Sequence, residues 1–150
     1  MKNFKFYKQE TNWTCGPAVA RMLFESVGIK KSEKEFIKPL KSNKIRGTYH
    51  ENFPALAEEF KLDYVVNRNS SIDDLKFFLN NNYIVMVCYF IPEEKTDHYS
   101  IVKDIDSSFV YFYDPYYGEN HKLSLKDFEK NWKFYTKYSK EKRWFFGVKY

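Results

Sequence analysis

Apolar residues in the first half of the chain recur at helical spacing, and in the second half they gather into continuous or alternating runs. PAVARMLFESVG (17–28) carries apolar side chains three and four apart. Pro17 suits a first helical position and Gly28 the position past the end, so the stretch predicts a helix. SEKEFIKPLK (32–41) opens with a capping box, Ser32 and Glu35, and Pro39 should stop it early. HENFPALAEEFK (50–61) repeats Phe53, Leu56, Ala57 and Phe60 on a helical period. LDYVVN (62–67) predicts a short strand, and Ser71 with Asp74 caps a helix over IDDLKFFLNNN (72–82).

The period then changes. YIVMVCYFI (83–91) is unbroken, as a strand buried on both faces would be. HYSIVKDID (98–106) and SFVYFYDP (108–115) are rich in β-branched and aromatic residues, and Asp106, Ser107 and Ser108 between them predict a hairpin. SLKDFEKNW (124–132) reads as a short helix capped by Ser124 and Asp127, and RWFFGVKY (143–150) as a last strand. Together these elements predict an α+β fold, an N-terminal helical half packed on a C-terminal antiparallel sheet. No repeat or low-complexity linker interrupts the chain, so residues 1–150 are expected to form a single domain.

Composition narrows the function. With 13 Tyr and 15 Phe, aromatic residues make up 21% of the sequence, too much ring area for a disordered chain despite 30% charged residues. The net charge of +5 comes from lysines spread among Glu and Asp, the pattern of a solvated face. The densest stretch, KFYTKYSKEKRW (133–144), interleaves bases with aromatics, and nucleic-acid binding is disfavoured on that alone. Two cysteines are too few for a disulfide scaffold and fit no zinc spacing. No apolar h-region opens the chain and no run reaches the length of a membrane span, so a soluble, cytoplasmic protein is expected.

The candidate chemistry starts at QETNWTCGPA (9–18). Cys15 stands against the start of the first helix, where backbone N–H groups and the macrodipole stabilise a thiolate. The bland alternative is a small apolar residue packing the helix start. Of the three histidines, His98 opens a strand that can present its ring rigidly. His50, in a polar approach to a helix, and His121, in the loop YYGENHK, read as ordinary surface residues. If 98–106 and 108–115 pair, the start of one lies beside the end of the other, which makes Asp114 a neighbour of His98. Asp114 could then accept from one ring nitrogen and leave the other for Cys15. The alternative for Asp114 is a turn-forming Asp-Pro. Gln9 could fold back and, with the Cys15 N–H, supply two donors for an oxyanion. Cys88, inside the apolar run, reads as a buried strand residue, and Asp73 and Asp74 as helix-start carboxylates. Trp13 either lines a cleft or packs beneath it.

QETNWTCGPA, then DHYSIVKDID, then VYFYDPYYGENHKLSLKDFEKNW, with RGTYHENFPALAEEFKL between, resembles the papain-like cysteine peptidases that process double-glycine leader peptides of bacteriocins. The likeness runs in order over nearly the whole chain. It implies a papain-like fold, Cys15 as nucleophile, His98 as base, Asp114 as orienter, Gln9 as oxyanion donor, and no metal or organic cofactor. Family members often have glycine before the histidine and in the turn after its strand; here those places hold Asp97 and Asp104. Leader-processing members are usually the front end of a membrane transporter, which makes a transporter or another protein a candidate partner. The expected function is therefore a thiol hydrolase acting on a peptide or amide bond. The alternatives are acyl transfer to an amine or thiol, and a module that grips a peptide without cutting it.

Overall fold

The computed structural model describes residues 4–135, 137 and 139–150. Among these residues five helices and six strands follow in the order α1 (Cys15–Glu25), α2 (Glu33–Ile37), α3 (Asn52–Glu59), β1 (Tyr64–Asn67), α4 (Ile72–Asn80), β2 (Tyr83–Ile91), β3 (Thr96–Ile105), β4 (Phe109–Asp114), β5 (Gly118–Ser124), α5 (Leu125–Asn131) and β6 (Phe145–Lys149).

The strands form one sheet in the order β1-β6-β2-β3-β4-β5, with every pairing antiparallel. β2 lies near its middle, and its continuous apolar run divides by alternation. Ile84, Met86 and Cys88 face a core made with α1, α2 and α3. Val85, Val87, Tyr89 and Ile91 face a second core containing Leu75 of α4 and Phe128 of α5. Helices thus cover both faces, and the split between helical half and sheet is less clean than the sequence pattern suggests: α4 and α5 pack opposite the first three.

Local signals account for most boundaries. Ser32 and Ser71 each accept from the N–H three residues on, and Glu35 and Asp74 return the bond, so both capping boxes form. At α5 the Ser124 hydroxyl accepts from the Asp127 N–H. α2 ends at Ile37, two residues before Pro39. Two expectations need correction. α1 starts at Cys15, so Pro17 is its third residue rather than its first; a proline is accommodated there because the first turn's N–H groups have no partner within the helix. YYGENHK (116–122), expected as loop, runs from Gly118 on into the edge strand β5, paired with β4 from Phe109↔Ser124 to Asp114↔Gly118.

Candidate active site

Three elements converge at one end of the sheet. Along β4 the buried residues alternate as Val110, Phe112 and Asp114, which places Asp114 on the α5 side. In the β2–β3 ladder His98 stands directly opposite Tyr89, a member of the same α5-side core. The β3–β4 hairpin then brings Asp114 to His98 although they are 16 positions apart, with the His98 Nε2–H donating to both carboxylate oxygens at 2.9 Å. α1 packs on the other face, and its first residue reaches the start of β3, where Cys15 lies beside the His98 ring and lines the same cleft. With Nε2 turned to Asp114, Nδ1 is the nitrogen left for sulfur.

The carboxylate is fully buried and well supplied with donors. Oδ1 accepts the N–H groups of Tyr116 at 2.9 Å and Tyr117 at 2.8 Å, and Oδ2 accepts the Tyr89 hydroxyl at 2.8 Å. Burial alone would raise the Asp114 pKa. The bonds from His98, the Tyr117 N–H and Tyr89 outweigh it and hold the pKa below its ordinary value. Burial likewise works against a charged His98, yet its bonds to Asp114 and Cys15 hold its pKa at about 10. The ring is therefore built to carry a proton at neutral pH.

Gln9 also lines this site. Its backbone N–H donates to Pro115 O at 2.9 Å, which ties it to the residue after Asp114. Its side-chain Nε2 donates to Thr11 O at 2.7 Å, and an amide nitrogen carries a second hydrogen besides. The buried Glu33 carboxylate accepts the N–H of Glu10 through both oxygens at 3.1 Å and so anchors the same segment from α2.

Cys15, His98 and Gln9 open onto a cleft of about 400 Å³. Trp13 and Tyr116 line it beside them, and the turn carrying Ile45, 89% exposed, forms another wall. That turn is closed by paired bonds between Asn43 and Gly47 at 2.9 and 2.8 Å.

The other candidates divide. Cys88 is buried in β2, and burial pushes its thiol pKa well up. Asp73 and Asp74 stand in the first turn of α4, where Asp74 completes the cap with Ser71. His50 is not the surface residue expected: its ring lies against Phe134 (4.5 Å) and Trp144 (5.2 Å), and its nitrogens meet Glu141 and Glu51. His121 is half-buried and stacks on Tyr117 at 4.6 Å. In the basic and aromatic stretch 133–144, Phe134 and Trp144 pack into the core, while Tyr135 stays largely exposed and stacks on Phe90 at 4.2 Å; residues 136 and 138 lie outside the described part. Asp97, in place of the glycine, accepts the Tyr135 N–H at 2.8 Å and fastens this stretch beside His98. Asp104 follows a bulge in β3 and accepts the Ile105 N–H. Sequence reasoning missed Tyr89: the run read as a strand began at His98, whereas β3 begins at Thr96, and only that two-residue extension sets Tyr89 opposite His98.

The Peptidase_C39-like family matches residues 1–140 of the sequence. The chain belongs to that family. Its fold is that of three solved structures. The peptidase domain of Streptococcus ComA, a bifunctional ABC transporter involved in a quorum-sensing pathway, has TM-score 0.74 at 17% identity, covering 98% of both chains. A Bacillus anthracis protein assigned as a C39-like peptidase has TM-score 0.76 at 14% identity over 97% of this chain and 94% of that one. A double-glycine-motif protease from an AMS/PCAT transporter, solved with its leader peptide, has TM-score 0.70 at 13% identity over 97% and 91%. No curated protein matches the sequence. The architecture is thus papain-like and the family one of cysteine-peptidase-like proteins. No helix among the described residues is long and apolar enough to cross a membrane.

Proposed function

We propose that this Peptidase_C39-like chain is a cysteine-dependent hydrolase, one papain-like domain over residues 1–150, that cleaves a peptide or amide bond through an acyl-enzyme on Cys15. The observation that carries this reading is the His98 ring, bonded through one nitrogen to a buried carboxylate and lying beside a thiol at a helix start. In this reading His98, its pKa raised to about 10, holds the proton as imidazolium while the Cys15 sulfur serves as nucleophile.

In the proposed reaction the Cys15 sulfur adds to the substrate carbonyl carbon, and the carbonyl π pair moves onto oxygen. The oxyanion is met by the second Gln9 amide hydrogen and by the Cys15 N–H, one of the first-turn donors with no partner inside the helix. The tetrahedral intermediate collapses by breaking the C–N bond as the His98 Nδ1–H protonates the departing amine. Water, deprotonated by the now neutral imidazole, attacks the thioester, and sulfur leaves to regenerate the pair. Asp114 keeps the ring in the tautomer and orientation this needs. No step passes through a metal or organic cofactor.

The proposed substrate is an extended peptide lying in the cleft, in keeping with the leader peptide bound by one structural neighbour. A transporter or other protein that delivers such a peptide is the proposed partner. Both cysteines are unpaired, which suits thiol chemistry in a reducing cytoplasm.

The test is a peptide bearing an electrophilic carbonyl isostere, followed by mass spectrometry of the adduct, with a peptide-library cleavage assay alongside. A single adduct on Cys15 and cleavage that disappears in Cys15→Ala are expected. Labelling of Cys88 alone, or peptide binding without an adduct or cleavage, would replace the enzyme with a binding module.

A further inference from the structure

We propose that Tyr89 is a positioning residue for this reaction, its hydroxyl fixing the Asp114 carboxylate in the one orientation that holds the His98 ring toward Cys15. The proposal rests on the catalytic reading of Cys15, His98 and Asp114.

Tyr89 is the one residue of the YIVMVCYFI run that pairs with His98, so the two side chains rise side by side from adjacent strands on the same face. Their rings meet edge to face, 5.6 Å apart at 85°. The Tyr89 ring is 2% exposed and is held from behind by Phe112 at 5.5 Å and Phe128 at 6.4 Å. That packing leaves the hydroxyl no freedom to wander, and it points at Asp114 Oδ2.

A buried tyrosine usually finds some acceptor, and a role limited to satisfying its own hydroxyl is the plain alternative. The division of labour around the carboxylate argues for more. Oδ1 is clamped by the backbone N–H groups of Tyr116 and Tyr117, and among the described residues Oδ2 receives its only other donor besides His98 from Tyr89. Turning the carboxylate about its Cβ–Cγ bond would break bonds at both oxygens together. Without Tyr89 one oxygen of a fully buried anion depends on His98 alone, and the anion is less favoured over its protonated form. A protonated or rotated Asp114 supports the imidazolium less, and the thiolate at Cys15 falls with it.

The test is Tyr89→Phe, which keeps the ring and deletes only the donor. The readout is the pH dependence of Cys15 alkylation by iodoacetamide, together with Tm, so no substrate need be known. Expected is a loss of roughly 10-fold in alkylation rate at neutral pH, with the acid limb of the profile displaced to higher pH. Tyr89→4-aminophenylalanine, which restores a weaker donor, should return both values toward wild type. That variant also serves if the phenylalanine chain does not fold, since its acid limb should then lie between those of wild type and His98→Ala. A lower Tm with the wild-type pH profile in either variant would overturn the proposal and leave Tyr89 purely structural. A wild-type Cys15 profile unchanged by His98→Ala would instead overturn the catalytic reading on which it rests.

Discussion

Gly16 lies so close to Thr48 that a Cβ added to the glycine would stand 2.1 Å from Thr48 Oγ1 and 2.6 Å from its Cβ. The first turn of α1 and the cleft wall after Gly47 are therefore pressed together directly behind Cys15. Thr48 cannot swing aside cheaply, because its hydroxyl shares a 2.8 Å hydrogen bond with Ser42 and its carbonyl accepts from Tyr99. Gly16→Ala is expected to destabilise the fold by about 1–3 kcal/mol, the usual cost of overpacking. Thr48→Gly in the same chain should recover part of that loss, so a double-mutant cycle on Tm or urea midpoint should show strong coupling. Additive effects would mean that the two segments separate more easily than this contact implies.

The two cysteines should differ sharply in reactivity. Cys88 is buried in β2, where burial and then the Asp97 charge push its thiol pKa well up. Cys15 is half-buried, opens on the cleft and faces a ring that favours the protonated state. Iodoacetamide at slightly acidic pH should modify Cys15 well before Cys88, as read by peptide mapping over time. Comparable rates in the folded protein would remove the case for an activated thiolate.

Stability should depend on pH through His98. Its pKa rises from an ordinary 6.5 in the unfolded chain to about 10 in the fold. A raised folded pKa means that the folded state holds the proton more tightly, so its contribution is complete below 6.5 and fades as pH climbs toward 10. Melting curves of wild type and His98→Gln should differ most at the acid end of that window and converge toward its alkaline end. Asp114, with a lowered pKa, acts in the opposite sense: its contribution is present above the ordinary carboxylate range and is lost on acidification. A constant gap between the two proteins from 6.5 to 10 would contradict the bonding described around His98.

What could be read in advance follows the range of the interactions involved. The β3–β4 hairpin and the nearness of His98 to Asp114 were legible because both follow from a local turn and strand alternation. The helix start at Cys15 was legible to within two residues. Pro17 misplaced it, since proline fits any position in a first turn. β5 was not legible: GENHKLS is largely polar, and an edge strand lying beside β4 is held by backbone pairing rather than by an apolar face. His50 looked like a surface residue because Tyr49, Glu51 and Asn52 around it are polar. The partners that bury it, Phe134, Glu141 and Trp144, come from more than 80 positions away. The nearness of Cys15 to His98 was expected from chemistry alone, and the packing of α1 on the core face that includes Tyr99 and Ile101 of β3 is what brings the two segments together.

The role proposed for Gln9 makes the sharpest demand on turnover. Its side chain lines the cleft beside Cys15, one amide hydrogen is committed to Thr11 O at 2.7 Å, and its backbone is pinned to Pro115 O. An amide held in this way loses little on meeting an oxyanion, and the charge it meets exists only as the tetrahedral intermediate forms. Gln9→Ala should therefore lower kcat by about 10²–10³, the usual loss for one oxyanion donor, and change substrate affinity little. The backbone bond to Pro115 survives the substitution, so Tm should stay near that of wild type. Cys15→Ala should abolish turnover and keep peptide affinity. The measurement is steady-state kinetics on the three proteins, with Kd for a peptide taken from the Cys15→Ala background. A lower Tm with unchanged turnover per folded molecule would make Gln9 a structural residue and pass the oxyanion to another donor. A rise in KM with kcat intact would mean that the amide binds ground-state substrate instead.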